Sequence, residues 1–517
     1  MEAALTAIPF SDAVERFDAR WRRANMMLIA WAEHGLSRSA AWACAVLALL
    51  ALQCYLAVIH HAWMDEWQAL LIALQSPDWP HLLQNLRYEG HPPLWYAILR
   101  TLAVFLPPPM ILTVAQLAIA LGTQIAIFGW TAFSRTERLL IGLSYFVLIE
   151  FGTVSRSLSF GVLLTVLFFR ARETWLKWTI IVLLPLVDFQ FGLISIVAIA
   201  LMIREGRWSY VGAGTWIFAA MVAAWCVQPA PDMIPALDTK APHLELLRGL
   251  IALSSMLVPL HYMQDQWHWA GALPPAIGIA LGLAFLAFMF RHLQHDLIAV
   301  ALMFGFVAVN FLFTAVVYPL AVRHWTLVPL TFILLVGWTR VKGHTHATRP
   351  SFQAWLFVAA LAGLWGTTLN ITRPFDSGHQ AAAFIKRQGL QDKHWVAWPN
   401  INGPVPAAIL GRDIHNLGSR CAQSFIRWNY RSPIKTRTRF EQELRQVSNR
   451  YGRFYLISDQ NVARVVSKGF VKRIAAFEPG YNGQIFQLFV VNPDAPESAL
   501  RPAPCVPGLR PLSEVFR

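Results

Sequence analysis

The sequence predicts a mainly α-helical, polytopic membrane bundle of about 11 spans, followed by a small extramembrane α/β domain at the C-terminal end. Three observations carry this. Of 517 residues, 56% are hydrophobic and 14% charged, where soluble domains carry about a quarter charged. Apolar runs recur from residue 40 to residue 368, divided by short basic connectors. From Asn370 onward polarity returns, with 21 Lys/Arg against 10 Asp/Glu. The 33 Phe and 22 Trp suit lipid and its interfaces. The basic tail can face anionic lipid or phosphate. Nucleic acid is a poor partner for a domain tethered to a membrane.

Residues 1–39 form an N-terminal segment with Arg16, Arg20, Arg22, Arg23 and Arg38, so this end is expected in the cytoplasm. The run at 40–60 lies behind too long a charged stretch for a cleavable leader and reads as a signal anchor. Further runs occupy 94–106, 110–133, 138–154, 157–169, 178–187, 190–203, 209–227, 276–290, 297–317, 325–339 and 352–368. The connectors are "SRTER" at 134–138, "RARETWLK" at 170–177, "REGR" at 204–207, "RHLQHD" at 291–296 and "TRVKGHTHATR" at 339–349. If 94–106 crossed the bilayer, all five would fall outside. If it lies in the interface, or dips in and returns, all five fall inside, as the positive-inside rule asks. The run is also too short for the roughly 20 residues that a span needs. The membrane body is therefore 40–368, with a first external loop at 61–109 and an external domain at 369–517.

In that loop Trp67, Leu70, Leu71 and Leu74 make one helical stripe, and Trp79, Leu82, Leu83 and Leu86 a second. Both helices are expected to lie flat at the headgroups, anchored by their Trp side chains. "SPDWP" at 76–80 is the turn between them, with Ser76 or Asp78 as cap. Asp65 and Glu66 fall at the start of the first helix, where its dipole favours negative charge. Capping alone is the simple account of that pair. "YEGHPPLWY" at 88–96 then adds Glu89 and His91 beside a reversal at Gly90 and a rigid Pro-Pro, Pro92 or Pro93 opening the next helix. Capping does not explain three acids and a histidine at one membrane face.

The other external turns add more ionisable groups. "IEFGTVSRSLSFGVLL" places Glu150 and Arg156 outside, "VDFQFGLISI" places Asp188 and Gln190, and "YPLAVRHWTLVPL" places Arg323 and His324. Singly, an Arg at a helix end is most simply a snorkelling side chain. Together these turns put both signs of charge on one side.

An Asp-Glu just after the first span, a loop of amphipathic helices, and Glu-x-x-Pro-Pro-Leu-aromatic-Tyr resemble the GT-C glycosyltransferases. The likeness is to the branch of protein O-mannosyltransferases and aminoarabinose transferases, whose second motif reads Glu-Lys-Pro-Pro or Gly-His-Pro-Pro. It covers about 40–340 in architecture, with specific motifs in the first external loop. The resemblance implies a polyprenyl-phosphate sugar donor and an acceptor hydroxyl on a lipid, glycan or protein. It implies Asp65 as the base, Glu66 as second catalytic candidate, and Arg156, Arg323 and His324 on the donor phosphate. Glu89, His91 and Glu150 would orient the base or the substrates. A single displacement would invert the anomeric carbon. No cofactor is assigned. Asp65, Glu66, Glu89 and His91 form an oxygen-rich set open to a divalent cation. The location implied is the inner (plasma) membrane, with the site and C-terminal domain on the periplasmic side.

"GHTH" at 343–346 reads as a solvated linker inside a basic loop. Cys44, Cys54 and Cys226 read as small core residues. Cys421 and Cys505 share the tail and are open to pairing there. In the tail, helices are expected at 379–390, 404–411 and 437–450, and strands at 394–399, 413–417, 454–459 and 485–491. It has no Gly-rich phosphate loop and reads as an acceptor-facing or structural module. The competing classes are a membrane transporter or lipid flippase, which Asp188 between two half-length runs would suit, and a non-catalytic envelope-assembly protein.

Overall fold

A computed structural model describes residues 27, 34–36, 39–233, 242–259, 273–343, 349–429, 434 and 436–516. The GHTH tract lies outside them, apart from Gly343. The chain is mainly helical. Its outer segment holds α2 (Met64–Gln75), α3 (Trp79–Glu89) and α4 (Leu94–Leu102), after α1 (Ser39–Ile59). The body continues with α5 (Pro108–Phe128), α6 (Arg135–Leu143), a π-turn (Tyr145–Glu150), α7 (Ser157–Arg170), α8 (Thr174–Leu183) and α9 (Phe189–Arg204). Then come α10 (Tyr210–Val227), α11 (Pro242–Leu257), α12 (Pro275–Leu293), α13 (Leu297–Val316), α14 (Val322–Trp325), α15 (Leu327–Val341) and α16 (Arg349–Thr372).

Among the described residues six helices are long and apolar enough to cross a bilayer: α1, α5, α10, α12, α13 and α16. The other expected spans are helical but shorter, and α7, α8 and α9 fall short of the length that crosses alone. Large apolar side chains stay exposed on the long helices, among them Val58, Phe218, Leu297 and Leu312, the surface that a bilayer would cover. Cys44 is one of these outward residues rather than a core one, because α1 stands at the edge of the bundle with most of its surface uncovered. The helix α11 falls in a stretch read as loop. It packs along α12 so closely that a Cβ on Gly282 would sit 2.2 Å from the Leu250 carbonyl oxygen.

Helix ends follow local chemistry. Asp78 caps α3 by accepting from the His81 amide at 2.9 Å, and Gly90 ends it in the left-handed region at φ 71°. Asp188 caps α9 through the Gln190 amide, and Asp296 caps α13. At the basic-connector end, Arg204 pairs with Asp296, Arg340 with Glu137 and Lys177 with Glu205. The span between α6 and Glu150 is broken at Ser144. There Gly363 of α16 comes so near that a Cβ would lie 2.0 Å from the Leu143 oxygen.

The C-terminal region is a mixed six-stranded sheet of order β3-β2-β1-β4-β6-β5. Its strands are β1 (Trp395–Ala397), β2 (Ile414–Asn416), β3 (Cys421–Gln423), β4 (Phe454–Ser458), β5 (Val471–Ala476) and β6 (Gln487–Val491), with helices α17 (Gly378–Arg387), α18 (Pro404–Leu410), α19 (Arg437–Tyr451) and α20 (Leu512–Val515). β1 runs parallel to both β2 and β4, while β3, β5 and β6 pair antiparallel. Phe440, Leu444, Phe454 and Phe489 pack one core of their own. The other face, through Ala381, Trp395 and Ala397, joins the same core as the bundle. Cys421 and Cys505 form a disulfide, Cα atoms 4.9 Å apart.

This docking corrects the reading of α2 as a flat interfacial helix. Every residue of α2 except Asp65 is buried. Trp67 is enclosed, and only Trp79 of α3 stays half exposed, under the Arg100 guanidinium at 5.3 Å. The apolar stripe meets the bundle, and the polar edge of Gln68 and Gln75 bonds to the C-terminal domain.

Candidate active site

Asp65 sits in the first turn of α2, Arg156 just before α7 and Arg323 in α14. These three segments converge. Asp65 Oδ2 accepts from Arg323 Nη1 at 2.8 Å and from Arg156 Nη1. Side-chain exposure is 13% for Asp65, 12% for Arg156 and 10% for Arg323, so the triad is enclosed yet reachable. No hydrogen bond reaches Asp65 Oδ1 among the described residues. Burial favours the protonated acid, but Arg156 and then Arg323 outweigh it and hold the Asp65 carboxyl below its ordinary range. The Arg323 guanidinium lies 5.2 Å from the Trp63 ring centre, and its buried Nε has no hydrogen-bond partner.

A second layer surrounds the triad. His91 Nε2 stands 3.3 Å from Arg156 Nη2, and His91 Nδ1 stands 3.0 Å from the Glu89 carbonyl. Guanidinium only donates, so Nε2 accepts and Nδ1–H donates to the carbonyl. The Glu89 carboxyl accepts from Gln68, and burial pushes it up from its ordinary value. Glu150 ends the π-turn, buried and within the field of Arg323 and Arg156. His324 accepts from the Ala321 amide at 3.1 Å. Burial and then Arg323 hold it well below its usual range, so it is a neutral group rather than the basic one expected.

Glu66, the second catalytic candidate, sits in a fastening position. It is fully buried, and both oxygens are engaged. Oε1 accepts from the Ser155 amide at 2.6 Å, and Oε2 from the Trp63 amide at 3.0 Å and from His60 at 2.8 Å. It therefore caps α2 and ties that helix to the residue beside Arg156. Successive helical residues point about 100° apart, which sends Asp65 to the guanidiniums and Glu66 inward.

Several participants escaped the sequence. Gln68 bridges Glu89 to Ile426 of the C-terminal domain. Gln190 donates to Asn310 at 2.7 Å and to the His324 carbonyl at 3.0 Å, bracing the turn that carries Arg323. Tyr96 and Tyr318 lie within the electrostatic reach of Asp65 and Arg156. A usable signal was present for Tyr96, which closes the Pro-Pro motif. Gln190 was placed at an external turn by the sequence, which gave no signal for its bracing role.

Among the described residues no three His, Cys, Asp or Glu side chains are placed to hold one metal ion. Asp65 faces guanidiniums and Glu66 faces amides, so with Glu89 and His91 they do not make the divalent-cation set considered from the sequence. A pocket of about 80 Å³ opens beside Glu66, lined by His60, Trp67, Thr153, Ser155 and His379, and Asp65 is not among its walls. A larger one, about 240 Å³, is lined by Gln75, Asp413, Ser424, Phe425 and Arg510. It meets the far end of α2, about 15 Å along the helix from Asp65.

Comparison with protein-family models, with curated proteins and with solved structures finds no match to this chain.

Proposed function

We propose that the chain is an integral-membrane glycosyltransferase that moves a sugar from a polyprenyl-phosphate donor to an acceptor hydroxyl, with inversion. The observation that carries this reading is one carboxylate shared by two nearly buried guanidiniums, assembled from three distant segments at the same end of the helices. The guanidiniums match a phosphate, which departs without a proton but with its charge. The acceptor oxygen bonds to the anomeric carbon as the bond to the phosphate oxygen breaks. That electron pair stays on the phosphate, facing Arg156 and Arg323. The hydroxyl proton passes to Asp65, general-base help worth about 10²–10⁴-fold. Glu89 and His91 orient the site around Arg156. Glu66 sets the spacing of Asp65 from Arg156.

The Cys421–Cys505 disulfide supports a non-cytoplasmic C-terminal domain. The basic connectors at the opposite end support the same orientation. The acceptor is a lipid, glycan or protein hydroxyl of the cell envelope. A transporter or flippase gains support from one feature, the buried Gln190–Asn310 pair inside the bundle.

The test is mass spectrometry of surface glycans and lipid-linked sugars in a strain that carries Asp65→Asn in place of the wild-type chain. Loss of one sugar from the envelope with accumulation of its lipid-linked form is expected. Unchanged glycans with a stably inserted variant would sink the catalytic reading and leave an assembly role.

A further inference from the structure

We propose that Asp65 is the resident counter-ion of the donor-phosphate seat, and that an incoming prenyl phosphate exchanges it out of the two guanidiniums, so that the base is freed only once the donor is bound. This rests on the transferase reading and adds an order of events to it.

The seat is built for more than one carboxylate oxygen. Arg156 and Arg323 both direct Nη1 to the same Oδ2 of Asp65. Arg323 Nε stays buried without a hydrogen-bond partner among the described residues. Among the described residues Asp65 is the one carboxylate within ion-pair distance of either guanidinium. A phosphate brings its non-bridging oxygens at tetrahedral spacing and can engage Nη1 of both arginines and the idle Nε at once. Asp65 does not, because among the described residues only its Oδ2 meets the guanidiniums.

Charge accounting gives the exchange a direction. One carboxylate against two guanidiniums leaves one positive charge in surplus. A sugar phosphodiester carries one negative charge and replaces Asp65 without net change. When the glycosidic bond breaks, the phosphate gains the second negative charge and the surplus is met. Stabilisation therefore grows along the reaction rather than on binding alone.

The arrangement also explains how a carboxylate held below its ordinary range can act as a base. Its low basicity belongs to the empty seat. Displaced from the guanidiniums, Asp65 is a buried carboxylate with more affinity for a proton. After transfer Asp65 holds the acceptor's proton; once that proton passes to the spent prenyl phosphate, the Asp65 carboxylate competes for the seat and helps to expel the phosphate, now carrying one negative charge fewer. No acceptor-side base is free until a donor is bound, which sets an order: donor first, acceptor second.

The test uses the full chain in neutral-lipid nanodiscs and farnesyl phosphate as probe, with farnesol, inorganic phosphate and phosphatidylglycerol as comparators. Asp65→Asn should bind farnesyl phosphate on the order of tenfold more tightly than wild type, because the internal competitor is gone. Arg323→Gln should lose that binding, and farnesol should not bind like the phosphate. Equal binding of phosphatidylglycerol or inorganic phosphate overturns the prenyl assignment. If wild type binds and Asp65→Asn binds no tighter, the exchange is overturned while the donor reading stands. No binding by either chain overturns both. A second readout needs no variant: carbodiimide labelling of Asp65, followed by mass spectrometry, should rise when farnesyl phosphate saturates the wild-type chain. Labelling that stays flat or falls overturns the exchange.

Discussion

Gln68 and Ile426 are joined by a two-way amide bond: Gln68 Nε2 donates to the Ile426 carbonyl at 2.8 Å, and the Ile426 amide donates to Gln68 Oε1 at 2.8 Å. The same Nε2 donates to Glu89. One side chain thus couples the outer helix, the Pro-Pro motif and the C-terminal domain. Gln68→Ala leaves both Ile426 groups and Glu89 without this partner in a buried setting, a loss of about 1–3 kcal/mol. We expect a lower thermal midpoint and protease cleavage near 424–429, with Gln68→Glu failing to rescue because a carboxylate cannot donate to the carbonyl. Unchanged cleavage would remove the coupling role.

Arg156→Lys and Arg323→Lys keep charge but lose the planar fork. Each should cut turnover on the order of 10²-fold with the chain still folded. The glutamine variants should also lose stability, because Asp65 then keeps a single ion-pair partner. Sugar-transfer rates and thermal midpoints of the four variants check this.

Glu66→Ala should behave unlike Asp65→Asn. It strands the Ser155 and Trp63 amides and His60, and so should cost several kcal/mol. Glu66→Gln, which keeps one acceptor oxygen, should recover part of both stability and activity. A Glu66→Gln chain as dead as Asp65→Asn, yet equally stable, would return Glu66 to the chemistry.

Asp376 is buried where the C-terminal domain leaves α16, bonded to the Gly378 amide and to Asn482 Nδ2, and burial pushes its carboxyl up to about 7. Its folded value lies above the unfolded one. Between these values the unfolded chain has lost the proton that the folded chain keeps, so stability falls as pH rises toward about 7 and is flat beyond. His379 opposes it on the acid side, because burial lowers it to about 4. From pH 5 to pH 8 the change in stability should be more positive in Asp376→Asn than in wild type, by about 2–3 kcal/mol, as thermal midpoints at the two pH values check. Equal pH slopes would count against a buried neutral Asp376.

The disulfide closes a sequence separation of 84 residues. The segment it anchors runs beside β3, with the Cys505 amide on the Ala422 carbonyl at 2.8 Å, and continues to the Arg510 amide on the Gln75 carbonyl of α2 at 2.9 Å. Replacing both cysteines with serine should cost about 2–4 kcal/mol and loosen the tail from α2. Hydrogen exchange over 500–516 and thermal midpoints with and without reductant check this. A midpoint indifferent to reductant would show that the bond is not formed in the native chain.

Much of the plan was legible because bilayers and helix ends impose strong local rules. Apolar period and length marked the helices, Asp78 and Gly90 marked the ends of α3, and basic connectors marked one end of the bundle. Alternation in the tail found four strands, but β3 has only three residues and β5 is largely exposed, with "CAQ" and "VKRIAA" giving no clear pattern.

The sequence by itself determined which residues could share a membrane face: Asp65, Glu89, His91, Glu150, Arg156, Arg323 and His324 all lie at turns of like sidedness. Only tertiary structure decided which of them touch. Neighbouring acids on a helix diverge by about 100°, so the docking of α7, α14 and the C-terminal domain around α2 is what turned Asp65 to the guanidiniums and Glu66 to the backbone. That choice depends on contacts between distant segments, 258 residues apart for Asp65 and Arg323 and 358 for Gln68 and Ile426, distances over which no local propensity reaches.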